Sequence, residues 1–368
     1  MKRWMMILFV FFYLSTLPIH AAQEVSMDEW NREGKERFGT HFSIGTMLKE
    51  LQEGHVFAVV KDAVQTVAKD AMDLHNVKEV FIQILMVGFL LAVFSNFTEA
   101  FSEQSLGTTG FYIVAMILSG LLVQQFLYLY EVAQSGMEDV VNFMKLLIPT
   151  YSMVLMGVSG LSTSLASYEL LFGLITLVQW GILNIVLPLI KFAFVLRLLN
   201  FLSGEDLFSG MIKLLERMVG WMLKGAIMVV LLFNIFQSML LPAIDSVKSN
   251  VIQKGLGFLP GLGQVFGMVA NTAIGSGIIL KNAIGVAGMI IICMLLLVPA
   301  IKMLLLVGSF WIAGAILQPI TNKKVYEIIQ GAAESGKWLL QAMATAAALF
   351  LLTLAIVSVS TNLNYYVG

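Results

Sequence analysis

Long uncharged stretches alternate with short charged ones along most of this chain. Windows free of Asp, Glu, Lys and Arg fall at 80–98, 111–130, 146–168, 170–190, 225–244, 282–301, 303–322 and 338–368. About twenty apolar residues cross a bilayer core, so eight crossings are the ceiling. Two windows are poor candidates. Residues 146–168 contain Pro149 and end in a serine-rich stretch, Ser159 to Ser167; residues 303–322 follow 282–301 with only Lys302 between them and carry Pro319. Basic residues concentrate at 191–224 and 302–337. Crossing by all eight windows would divide these blocks between the two sides. With 146–168 and 303–322 re-entrant or interfacial, both blocks face the cytoplasm, as the positive-inside rule requires. The expected fold is therefore an all-α, polytopic integral membrane helix bundle of six full spans plus two half-inserted segments. Residues 131–139 and 245–281 and both mature ends lie on the non-cytoplasmic side. The 99–110 loop lies inside, despite Glu99 and Glu103 and no base.

Two apolar helices carry the same interruption, Val186-Leu187-Pro188-Leu189-Ile190-Lys191 and Leu297-Val298-Pro299-Ala300-Ile301-Lys302, displaced by 111 residues (299 − 188). Proline removes a helix hydrogen bond and clashes with the preceding turn, so Pro188, Lys191, Pro299 and Lys302 mark expected helix breaks. The lysines are expected to snorkel to an interface. Each motif is followed by an apolar helix, a bend, an amphipathic stretch, a lysine (Lys224, Lys337) and a span; that lysine pair is offset by 113 (337 − 224). The layout fits an internal repeat with units 170–244 and 282–358 in the same orientation, and it also fits shared hydropathy without kinship.

Ahead of the spans, Lys2 and Arg3 precede an apolar run, Met5 to Leu14, then Pro18 and Ile19-His20-Ala21-Ala22. That is the layout of a secretory signal peptide over 1–22, cut after Ala21 or Ala22; an uncleaved first anchor fits the same residues. Residues 23–79 read as an exported amphipathic segment in which Val60, Val64, Val67, Ala71 and Leu74 share one face. That face needs cover from the chain's own membrane domain (80–368), the bilayer surface or a partner.

Composition sharpens the class. The chain is 58% hydrophobic and 12% charged, with a mean hydropathy of +0.87, which excludes an ordinary soluble domain. A net charge of −1 offers nucleic acid no electrostatic footprint. Cys293 has no second cysteine to pair with, and four irregularly spaced histidines precede the spans; no metal site is expected. Catalytic and nucleotide-binding signatures are absent, so neither an enzyme nor a cofactor is expected.

Polar groups inside the windows are amides. Gln179, Asn184, Asn234 and Gln237 serve either helix–helix adhesion or a polar pathway lining. No carboxylate sits mid-window, which disfavours an ion-coupled carrier. Residues 255–288 are glycine-rich; Gly257, Gly261, Gly263 and Gly267 set two GxxxG spacings that suit close helix packing within a subunit, a re-entrant hairpin or an oligomer contact.

The run Leu187-Pro188-Leu189-Ile190-Lys191-Phe192-Ala193-Phe194, through Leu202-Ser203-Gly204 and Lys213-Leu214-Leu215 to Trp221-Met222-Leu223-Lys224-Gly225, resembles the stage III sporulation protein AE family, and the order of features does so across essentially the whole chain. The resemblance implies a multi-pass subunit in the mother-cell membrane around the forespore. Its implied partners are the other proteins of the stage III sporulation A operon and, through the complex, stage II sporulation protein Q. The implied role is a transenvelope, secretion-like channel needed for sporulation, with no catalytic residues to carry over. A self-sufficient small-solute permease and an assembly factor without its own pathway are the competing readings, and a homo-oligomer fits all three.

Overall fold

The computed structural model describes residues 44–71, 75–100, 104–159, 163–256 and 263–366. Among these the chain is helical, with no strand: α1 Ile44–Gln52, α2 Val56–Ala71, α3 His75–Ala100, α4 Gln104–Ser159, α5 Thr163–Gly181, a π-turn Ile182–Val186, α6 Leu187–Ser203, α7 Ser209–Leu256, α8 Gly263–Leu317 and α9 Lys323–Tyr366. Among the described residues, six helical stretches are long and apolar enough to cross a membrane: Val77–Phe94, Thr109–Ile148, Phe172–Ser203, Ser209–Phe236, Asn282–Leu317 and Lys323–Ile356. The protein is an all-α, multi-pass membrane helix bundle. Its signal-peptide region lies outside the described residues.

The helices fold back as three hairpins. In the first, Phe94 of α3 packs on Gly110 of α4. In the second, α6 ends at Gly204, whose φ of +72° forms a left-handed cap, and Asn200 closes the turn by accepting from the Phe208 N–H at 2.9 Å. In the third, α8 ends in a tight turn and Asn322 caps α9, its side chain accepting from the Val325 N–H at 3.0 Å. Lys324 donates to the Gly204 carbonyl, and Tyr112 approaches the same glycine. The second and third bends therefore lie at one end of the bundle, with Tyr112 of α4 beside them, and the second and third hairpins run in the same direction.

Register follows from the closest helix approaches. Leu129, Gly136 and Leu147 of α4 meet Gly336, Met343 and Leu354 with Gly288, in that order; α4 and α9 are parallel, and α8 runs against both. Inward positions on α4 recur every three or four residues (Phe126, Leu129, Ala133, Met137, Val140, Met144) and are buried. Phe126 stacks on Phe194 of α6 with centroids 4.1 Å apart.

The six stretches of spanning length match the six crossings expected, and the two windows expected to be half-inserted are helical where described. Residues 303–317 continue α8, and residues 146–159 continue α4. Pro299 sits inside α8 without ending it. One lost hydrogen bond costs less than abandoning a helix in an apolar layer, where every freed backbone group needs a partner. Gly136 supplies the room: a Cβ there would lie 3.4 Å from the Pro299 ring.

The α2 face also differs from the pattern. Val59 and Ala63 are buried, with Ala63 among Ile290, Met294, Val298 and Ile301 of α8, while Val60 and Val64 are exposed. Periodicity locates an amphipathic helix but not which edge of a broad apolar arc meets the neighbour.

Candidate functional site

In a helical hairpin, residues equally distant from the bend face each other. Arg197 on α6 and Glu216 on α7 stand so about the 204–208 turn, and their side chains form an ion pair. The side chains are 19% and 23% exposed, deep inside an apolar hairpin. A third helix closes over them: Gly331 of α9 lies against Arg197, where a Cβ would come within 2.9 Å of Nη1. Ser335 donates to the Gly331 carbonyl at 2.8 Å. Ile190, Ala193, Glu216, Val219, Ser335 and Trp338 line a small cleft of about 10 Å³, room for one water. Among the described residues, Arg197 Nε and Trp338 Nε1 have no hydrogen-bond partner.

The third hairpin carries a counterpart. Gln330 donates to the Trp311 carbonyl at 3.3 Å, again across 19 residues, and each member lies 114 residues after its equivalent (311 − 197, 330 − 216). Helix ends Ser203 and Leu317, and starts Ser209 and Lys323, share that offset. The two Pro-x-x-Lys motifs, offset by 111, are thus three residues out of register when the bends are matched.

Local geometry differs at the two prolines. Pro188 enters the first turn of α6 directly after the π-turn, where the Leu187 N–H reaches back to the Ile182 carbonyl. The extra residue relaxes the clash expected with the preceding turn. Lys191 is exposed and sits 5.3 Å from the Tyr130 ring centroid, a cation–π contact. Lys302 is half-buried on α8.

The amides do not converge on one lining. Asn184 is exposed and donates to the Trp180 carbonyl at 2.9 Å. Asn234 is buried and donates to the Val230 carbonyl at 2.8 Å. Gln179, 1% exposed, has no partner for either amide atom among the described residues. It and Asn234 each stand 18 residues beyond the ion pair, and no hydrogen bond joins them. The side chain of Gln237 lies outside the described residues, as do Gly257 and Gly261. Gly263 opens α8 and Gly267 follows one turn later.

Sequence reasoning missed the Arg197–Glu216 pair, with Gly331, Ser335 and Trp338 around it. Equal spacing about the Ser203-Gly204-Glu205-Asp206 bend was the signal that locates it.

Among the described residues, six membrane-length helices in three hairpins, joined by the Arg197–Glu216 ion pair and by the Gln330 and Lys324 bonds to carbonyls of neighbouring elements, define a polytopic integral membrane protein with interhelical polar contacts. The chain belongs to the stage III sporulation protein AE family, whose sequence profile matches residues 42–361. It is similar to stage III sporulation protein AE of Bacillus subtilis (strain 168), with 23% identity over 282 residues, 76% of this chain and 71% of that protein. No solved structure matches it.

Proposed function

We propose that this chain is a non-enzymatic membrane subunit of a transenvelope, secretion-like channel complex that sporulation requires and that links mother cell and forespore. Family membership over residues 42–361 supports the sporulation role. The Arg197–Glu216 pair favours a subunit over an ion-coupled permease: this carboxylate is tied to an arginine and packed beneath a third helix, whereas coupling needs one that exchanges its proton or ion. The partners on this reading are the other proteins of the stage III sporulation A operon and, through them, stage II sporulation protein Q. Deleting the chain should abolish late forespore reporter expression, and an affinity-tagged copy should co-purify with the operon partners. Normal reporter expression in the deletion strain would overturn the reading.

The second and third hairpins form the proposed repeat, and their two bends face the mother-cell cytoplasm. Lys213, Arg217, Lys323 and Lys324 gather toward that end. Single cysteines replacing Glu205 and Asn322 should label from the cytoplasm; those replacing Gly160 and Asn250 should label from the opposite side. Labelling of 205 and 322 from opposite sides would sink this orientation. Leucine at Gly257, Gly261 or Gly267 is expected to lower recovery of the detergent-solubilised complex more than alanine at His41 or His55. Equal recovery would remove the assembly role of these glycines.

A further inference from the structure

One outward face of α4 changes character along its length. From Tyr112 to Tyr128 it is uncharged and mostly apolar, exposing Ile113, Met116 and Ile117 with one amide, Gln124. From 131 to 145 the same face presents Glu131, Gln134, Ser135, Glu138, Asn142 and Lys145, at spacings of three and four. Glu131, Ser135, Glu138, Asn142 and Lys145 are exposed. Gln134 donates to Glu138 at 2.9 Å and Lys145 to Asn142 at 3.3 Å, so these bonds run along the stripe and leave it facing outward.

At that depth α5 to α7 are apolar, while α2, which packs Ala63 on Ile290 to Ile301 of α8, carries exposed Lys61 and Asp62 beside that contact. Lys191 beside Tyr130 and Glu216 beside Arg197 set the levels of α5, α6 and α7 against α4. Ile185 to Leu177 lie 6–14 residues beyond Lys191, and Met228 to Phe236 lie 12–20 residues beyond Glu216; both stretches fall level with residues about 136–144 of α4 at a uniform helical rise. They expose Leu177, Trp180, Met228, Leu232 and Phe236 and contain no charged residue. On α8, Leu296 and Pro299 meet Gly136, inside the uncharged stretch 282–301. One flank of the bundle is therefore charged at a depth where the α5–α7 flank suits lipid.

We infer that the Glu131–Lys145 face of α4 lines a water-filled path through the apolar layer. Charged side chains at membrane depth face water or a polar partner rather than lipid. Neighbouring copies in a membrane share orientation, so direct packing of this face on itself would set Glu131 on Glu131 and Glu138 on Glu138; water between the walls screens that repulsion. The inference rests on the conduit reading above and gives that reading a surface.

The test is thiol accessibility of the full chain in vesicles opened to both sides. In a Cys293→Ser background, single cysteines replace Ser135, Glu138 or Asn142 on the stripe, and Leu177, Leu232 or Phe236 at the same depth. A membrane-impermeant cationic methanethiosulfonate should react at least ~10-fold faster on the stripe than on the apolar set. Equally fast reaction of both sets would place the layer outside the bilayer and overturn the path. Protection of both sets would mean that lipid or protein covers the stripe, and that too would overturn the path. Water access is read independently of spore formation, so failure here leaves the subunit reading standing, and failure of the deletion phenotype leaves the labelling result intact.

Discussion

Gly336→Leu is expected to destabilise the protein strongly, because three helices cross at that residue. A Cβ on Gly336 would stand 2.6 Å from Val307 Cγ2 of α8 and 2.9 Å from Leu129 Cδ1 of α4. Both neighbours are essentially fully buried, so neither can swing aside into solvent or lipid. Leucine adds three carbons beyond Cβ, and overpacking a full core costs roughly 1–3 kcal/mol, occasionally more. Forcing α9 away from α8 and α4 would also disturb the parallel register at Met343 and Leu354. Thermal denaturation in detergent should show a clearly lower midpoint and poorer monodisperse recovery. Gly120→Leu is the matched control: that glycine faces open space on α4, and the same substitution should leave the midpoint nearly unchanged. Equal midpoints for the two variants would show that the crossing is looser than these distances require.

The architecture was legible in the sequence wherever it rests on length and charge. Uncharged windows marked the helices, the polar run Ser203-Gly204-Glu205-Asp206 marked the second bend, and the basic blocks at 191–224 and 302–337 put the second and third bends at one end. Legibility failed where one helix answers to another. Pro299 reads as a break, yet Gly136 on a distant helix leaves space for its ring, and α8 runs on. The Val60 and Val64 face of α2 could take cover from the membrane domain, the bilayer or a partner; the contact with Met294 goes to Val59 and Ala63 and leaves Val60 and Val64 exposed. The paired Pro-x-x-Lys motifs suggest equivalence at an offset of 111, whereas the bends and the interhelical contacts repeat at 114. An identical local pattern is a weaker guide to equivalence than position relative to a turn, because the turn fixes which residues meet.

Glu216→Ala should be among the most damaging single changes at the candidate site, and its partner substitution should undo much of the harm. Removing the carboxylate leaves the Arg197 charge between α6 and α7 beneath Gly331 without its ion-pair partner. Breaking a buried pair in this way costs roughly 3–5 kcal/mol; the fifth of each side chain that remains exposed places the expectation at the lower end. Arg197→Met with Glu216→Leu removes both charges while keeping bulk over Gly331, and such replacements of buried pairs are frequently neutral or stabilising. The double variant should therefore recover most of the denaturation midpoint lost in Glu216→Ala. A double variant as unstable as the single one would show that α6 and α7 need the pair itself, not merely the absence of a stranded charge. Forespore reporter expression separates stability from function. Rescue of both midpoint and expression would make the pair a packing device, while rescue of the midpoint alone would give Arg197 and Glu216 a direct part in what the complex does.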